Sequence, residues 1–132
     1  MTSSTDVPQL SFELKDNYLL VVGYGKRDNL IAMNQASAQI YEKVLETKSR
    51  CLLMDYRKLQ VNLHLSEAFN IVKRYETVLP ELRNLKIAGV FTEQGLNFAS
   101  YWKEVSQQRG FIIEIFEEYE AAEAWLLEQT HL

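Results

Sequence analysis

Several kinds of chemistry are scarce in this chain. It has one cysteine, Cys51, and two histidines, His64 and His131, in 132 residues. A single thiol cannot close a disulfide within the chain, and it fits a reducing compartment. Cys51 sits in an apolar run far from either histidine. No zinc-ligand spacing and no nucleophile–histidine–acid order can be drawn from so few groups. Long apolar runs are missing as well, so no stretch reaches the length of a membrane span. The opening MTSSTDVPQL lacks the basic and apolar parts of a signal peptide. Basic charge is also short: 14 Lys and Arg stand against 18 Asp and Glu, a net charge of −4 with no basic block. Phosphate neutralisation needs clustered cations, which argues against nucleic acid and anionic membrane surfaces as partners. The expectation is a cytoplasmic protein with no stable membrane insertion.

What the chain does have is a folding composition. Hydrophobic residues make up 47% and charged residues 24%, enough to bury one core and too apolar for disorder. Residues 1–8 read as a flexible polar tail and 9–132 as a single domain. In QLSFEL, Leu10, Phe12 and Leu14 alternate with polar residues, the pattern of a half-buried edge strand. Residues 18–22 are continuously apolar, as in a strand buried on both faces. The short turn at 15–17 makes the two an antiparallel hairpin.

Helices and strands alternate from there. Asp28 reads as the N-cap of a helix over 29–48, with Leu30, Ile31, Ala38, Tyr41, Val44 and Leu45 at helical spacing. CLLMDY is a third strand. Ser66 reads as the cap of a second helix with the face Phe69, Ile71, Val72, Tyr75, Val78 and Leu79, stopped at Pro80. LKIAGVFT is a fourth strand, and 95–108 a third helix carrying Leu96, Phe98, Ala99, Trp102 and Val105. Gly110 suits a left-handed residue closing that helix. FIIEIF is a fifth strand, and EEYEAAEAWLLEQ a last helix with Tyr119, Ala122, Trp125 and Leu126 inward. The order β-β-α-β-α-β-α-β-α predicts an α/β domain with one mixed, mostly parallel five-stranded sheet and four helices. Its first strand lies antiparallel at an edge.

That order, with the phrases CLLMDYR, KIAGVF, QQRGFIIEIFEE and EEYEAAEAWLLE, resembles the SpoIIAA-like family, related to STAS domains of the anti-sigma-factor antagonist kind. The ending Phe116, Glu117, Ala124, Trp125, Leu126 is similar to that family's usual close, and the resemblance runs from about Phe12 to Glu128. It implies a SpoIIAA-like fold used for protein–protein regulation or, in relatives with the CRAL-TRIO lipid-transfer fold, for holding an apolar ligand. It does not imply an enzyme or a cofactor. Phosphorylation-switched antagonists carry an Asp-Ser-Ser/Thr-Gly phrase where this chain has Asn62-Leu63-His64-Leu65-Ser66-Glu67, so only Ser66 remains, without the acid, the paired hydroxyl and the glycine.

Asp55 draws attention as an acid at the end of an apolar strand. A phospho-acceptor there needs further carboxylates to hold a cation, and the segment VVGYGKRDN offers only Asp28. A haloacid-dehalogenase-type pair needs a second Asp where Arg57 stands. The plain reading is a strand-end carboxylate paired with Arg57, Lys58 or a loop amide. Ser66 is read as a cap that could also carry a phosphate favoured by the helix dipole, with Glu67 opposing the added charge. GYGKRDN has neither the third glycine of a dinucleotide loop nor the Ser or Thr of a Walker loop, so its glycines are read as easing a strand-to-helix turn. Glu117, Glu118, Glu120 and Glu123 read as a solvated acidic face. No catalytic residue, metal ligand or cofactor is assigned.

Two groups of candidates remain: Asp55, Arg57, His64 and Ser66 for regulation or interaction, and Phe69, Tyr75, Phe98, Tyr101 and Trp102 for an apolar ligand or interface. The leading expectation is a non-enzymatic interaction module with a protein partner or self-association as a homodimer. The alternative is a binder of a small apolar or lipid ligand between helices. An enzyme using Asp55 ranks below both.

Overall fold

The alternating and continuous apolar runs become strands, and the 3.6-residue patterns become helices. A computed structural model describes residues 9–128, so the tail at 1–8 and His131 lie outside the described residues. The elements are β1 (Gln9–Leu14), β2 (Leu19–Arg27), α1 (Leu30–Thr47), β3 (Cys51–Val61), α2 (Ser66–Val78), β4 (Lys86–Val90), α3 (Leu96–Gln108), β5 (Ile112–Phe116) and α4 (Tyr119–Leu127). Short 3-10 turns at Pro80–Asn84 and Glu93–Gly95 precede β4 and α3.

The strands lie in the order β1-β2-β3-β4-β5. β1 pairs antiparallel with β2, and every other pairing is parallel. Each crossover steps one strand further in the same direction. Right-handed connections of that kind place all their helices on one face. Leu19, Val21, Leu52, Met54, Ile87 and Ile113 point to that face, into a core shared with α1, α2 and α3. Their neighbours Leu20, Leu53, Ala88 and Val90 point the other way, against Ala122 and Leu126 of α4. Each fully buried aliphatic side chain stabilises the fold by about 1.5–3 kcal/mol relative to exposure.

The family-like ending is a packing device. Leu126 is buried on the sheet, and the rings of Phe116 and Trp125 lie 5.9 Å apart. Lys86 holds the end of α4, donating from Nζ to the Trp125 carbonyl at 2.6 Å with its ammonium over the indole. Cations at a helix C-terminus satisfy the orphan carbonyls there. Gly110 adopts φ +91° just past α3, as its position predicts.

Other expectations are corrected. α1 is capped by Asn29, whose Oδ1 accepts from the Ala32 amide at 2.8 Å. Asp28 accepts instead from Asn62 Nδ2 at 2.6 Å. The buried face of α1 is Ala32, Met33, Ala36, Ser37, Ile40 and Val44, which leaves Ile31 and Leu45 in solvent. Small residues can lie closest to a sheet, and the apolar count alone hides that. Phe69 and Val78 of α2 are likewise exposed. β4 is shorter than LKIAGVFT suggests, and α4 begins only at Tyr119.

The largest correction concerns β2 and β3. β2 runs through GYGKR to Arg27, and β3 runs on to Val61. Gly23 and Gly25 therefore sit within a strand rather than in a turn into α1. β4 stops pairing at Asp55↔Val90, while β2 and β3 continue to Arg27↔Val61. Between Val22↔Asp55 and Tyr24↔Lys58, β3 uses one more residue than β2, a bulge. Leu59, Val61 and Leu63 then pack back on the main core.

Candidate functional site

Strand parity separates the candidates that the sequence groups together. Asp55 and Arg57 are two apart in β3 and share the α4 face of the sheet. Asp55 is therefore a mid-strand residue, not a strand-end acid. Arg57 donates to both its oxygens, from Nε at 2.9 Å and Nη2 at 2.8 Å, and its guanidinium lies 5.8 Å from the Tyr119 ring centre. Burial would raise the Asp55 carboxyl, but hydrogen bonds from the Arg57 side chain and amide, with the charges of Arg57 and Lys58, hold it below the usual value. Nearby on that face, the buried Tyr18 hydroxyl donates to Glu123 at 2.7 Å and meets the Tyr119 hydroxyl at 2.7 Å. Glu123 is thus built into the packing, not left on a solvated face.

His64 and Ser66 lie elsewhere, past the end of β3. The Asn62 amide donates to the Arg27 carbonyl at 2.9 Å, which ties this loop to the end of β2. Ser66 does not cap α2: the cap position is Leu65, and no side chain caps the helix. Ser66 is the first helical residue and is exposed, with its hydroxyl free of any hydrogen bond among the described residues. The first amides of α2 bond instead to the carbonyls of His64 and Leu65. Beside Ser66, Leu65 is 41% exposed and Phe69 38% exposed. Arg109 lies over the Phe69 ring at 5.0 Å.

The aromatic group divides as well. Tyr101 is exposed, like Phe69, whereas Tyr75 and Trp102 are buried. Trp102 Nε1 donates to the Tyr75 hydroxyl at 3.1 Å, and burial pushes that phenol up to about 12. Tyr75, Phe98 and Trp102 border a cavity of about 50 Å³ between the sheet and the three helices, closed further by Met33, Tyr56 and Val61. The site reached by sequence is thus three places: an ion pair beside α4, a loop-to-helix surface at α2, and an apolar cavity under α1, α2 and α3.

Arg27 is the residue that sequence reasoning passed over. Placed at the end of β2, it is 2% exposed. Its guanidinium lies 4.9 Å from the Tyr56 ring centre, and Nη1 approaches Met33 Sδ at 3.8 Å. Nε and Nη2 are buried without a hydrogen-bond partner among the described residues. Gly23 makes the room: a Cβ there would come within 2.9 Å of the Tyr56 ring and 3.3 Å of Arg27 Nη2. Parity was the available signal, since residues 19, 21, 23 and 27 share one face once β2 is continued through the glycines.

A mixed five-stranded sheet with three crossover helices on one face and a short terminal helix on the other is the SpoIIAA-like fold. The chain is similar to a crystal structure of an anti-sigma factor antagonist from Mycobacterium paratuberculosis. That likeness has a TM-score of 0.65 at 12% identity and covers 96% of this chain and 100% of the other. It is also similar to an uncharacterized protein with a SpoIIAA-like fold from Shewanella loihica PV-4, with a TM-score of 0.56 at 18% identity, covering 91% of this chain and 94% of that one. No protein-family model and no curated protein matches the sequence. Among the described residues, no helix is long and apolar enough to cross a membrane, and no cluster of three or more His, Cys, Asp or Glu could hold a metal ion.

Proposed function

We propose that this protein is a cytoplasmic regulatory module of the STAS-like kind, acting by binding another protein rather than by catalysis. The observation that carries the reading is the surface at the start of α2, where exposed Leu65 and Phe69 flank an uncapped, exposed Ser66 at the open end of the β2–β3 extension. Exposed apolar side chains around a polar group suit a protein interface better than a solvated loop. The fold shared with an anti-sigma factor antagonist supports the same reading. A phosphate on Ser66 would sit at the positive end of α2, close to Glu67, and would change the charge of this surface. Asp55 supports no rival reading as a general base, because Arg57 occupies both its oxygens.

The test is capture from the native cell followed by mass spectrometry, comparing the wild type with Leu65→Asp and Phe69→Asp. The expected result is a defined partner, or a second copy of the chain, held by the wild type and lost in both variants at unchanged melting temperature. Capture that ignores both substitutions would move the surface elsewhere and overturn the reading.

A second reading is favoured by the cavity: the space beside Phe98 and Trp102 takes a small apolar ligand. Its size limits that ligand. On the measure by which one water needs about 10–15 Å³, the cavity holds roughly four water-sized spheres, far less than a lipid tail.

A further inference from the structure

We infer that the free edge of β3, from Arg57 to Val61, takes up an extended segment of a partner protein as an added strand, one that alternates acidic and apolar side chains. This site is separate from the surface at the start of α2. It stands on where strand pairing stops and on which charges lie beside the stop.

A strand within a sheet bonds through its backbone on both sides, and an unpaired side is a template for another chain. β4 pairs with β3 only as far as Asp55↔Val90, while β2 follows β3 to Val61. Past Val90 the chain stays with β5, for the Phe91 amide donates to the Phe116 carbonyl at 2.9 Å. Among the described residues, no backbone–backbone hydrogen bond other than those to β2 reaches residues 57–61. Side chains do not close the stretch over either. Arg57, Lys58 and Gln60 are exposed, and Leu59 and Val61 are half-buried.

Charge selects the occupant. The outer strands β1 and β5 each carry an acid, Glu13 and Glu114. The RKLQV stretch of β3 has no acid and two cations, in a chain of net charge −4. Arg57 is held by Asp55, but Lys58, and Lys26 on the adjoining strand, make no ion pair among the described residues. Lys58 lies beside Tyr24, and Lys26 beside Gln60, on the exposed face of this extension. Leu59 and Val61 pack toward the three-helix core. An added strand inherits that alternation: its side chains next to Lys58 and Gln60 meet positive charge, and those next to Leu59 and Val61 meet apolar surface. Edge cations and a bulge are the devices by which sheets resist pairing with copies of themselves. The same cations attract a strand of opposite charge.

The test is a titration of the full-length protein with an end-blocked peptide of alternating Glu and Val, followed by amide chemical shifts at neutral pH. Shifts are expected along Arg57–Val61 and not along β1 or β5. A Lys-Val peptide of the same length should bind about ten times more weakly, and Lys58→Glu should weaken the Glu-Val peptide about fivefold to tenfold. Lys58 is exposed, so that change should leave the melting temperature in place. An added strand bonds its neighbour through alternate residues, so N-methylation of every second peptide amide should abolish binding in one phase and be tolerated in the other. Leu65→Asp and Phe69→Asp should leave peptide binding unchanged, which separates this site from the surface at α2.

Binding of neither peptide, or equal binding of both, would overturn the assignment. So would shifts confined to β1 or β5. Equal loss in both N-methylated phases, or in neither, would show docking without a ladder and overturn the added strand. Binding lost in Leu65→Asp or Phe69→Asp but kept in Lys58→Glu would move the peptide to α2 and overturn the β3 site. Shifts along Arg57–Val61 that grow with protein concentration alone would show a second copy on this edge and overturn the acidic partner.

Discussion

The two faces of the sheet are built from the same strands and solve the burial of polar groups differently. On the α4 face, buried or half-buried polar groups find mates within the chain. Asp55 has Arg57, Tyr18 has Glu123 and Tyr119, and Lys86 has the carbonyls at the end of α4. On the three-helix face the packing is larger and mostly apolar, yet it keeps a cavity and a guanidinium with two unpaired nitrogens. The contrast teaches where outside binding could contribute most. A face whose polar groups are matched gains little from a ligand, whereas an unmatched buried charge leaves stabilisation available to whatever pairs with it.

Substitutions that separate the faces test this contrast, and the largest effect belongs to the three-helix core. Trp102→Ala removes a buried indole and the donor to Tyr75, and should cost about 3–5 kcal/mol. Urea unfolding should show a lowered midpoint with little change in slope. A loss under about 1 kcal/mol would mean that this face is not packed as described.

The next test compares the faces directly. Ala122 is fully buried against the sheet under α4, and Ala99 is fully buried at the cavity. Ala122→Val should cost about 1–3 kcal/mol by overpacking, while Ala99→Val, with space to enter, should stay within about 1 kcal/mol of the wild type. Equal costs would erase the distinction between a filled face and a hollow one. A smaller effect comes from Tyr18→Phe, which deletes the hydroxyl shared by Tyr119 and Glu123. Thermal unfolding should report a loss of about 1 kcal/mol.

The smallest effect is that of Asp55→Asn. Its partner Arg57 is substantially exposed, so the pair contributes under about 1 kcal/mol after screening. The Asp55 pKa is lowered on folding, so its contribution is complete above the unfolded value of about 4 and is lost as pH falls through the folded value. The gap between wild type and Asp55→Asn should therefore be widest near neutrality and close in acid. A gap that widens on acidification would contradict the pairing.

How legible the molecule is from sequence depends on which residues are asked about. The strand and helix order could be read because periods of 2.0 and 3.6 residues are local properties of the chain. Gly110 was readable for the same reason, whereas Arg57 was only one of three candidate partners of Asp55 until β3 proved to carry both residues on one face. Asn29 and Asp28 exchanged roles because adjacent polar residues can both cap, and the choice depends on Asn62 from a distant loop. Ser66 was misplaced by one position for lack of a local feature to decide it. Leu65 and Phe69 lie exposed at the start of α2, a matter of which neighbouring segments reach them and not of helical period.

By itself, then, the sequence determined the class of fold and the mostly parallel sheet with an antiparallel edge. Only the tertiary structure decided that β2 and β3 run past the rest of the sheet, and that Arg27 is buried by this extension. The reason is physical. Strand period is carried by each segment alone, but burial of a charge depends on what several segments leave open. Gly23 without a side chain, the Tyr56 ring from β3 and Met33 from α1 must come together before Arg27 has anywhere to go.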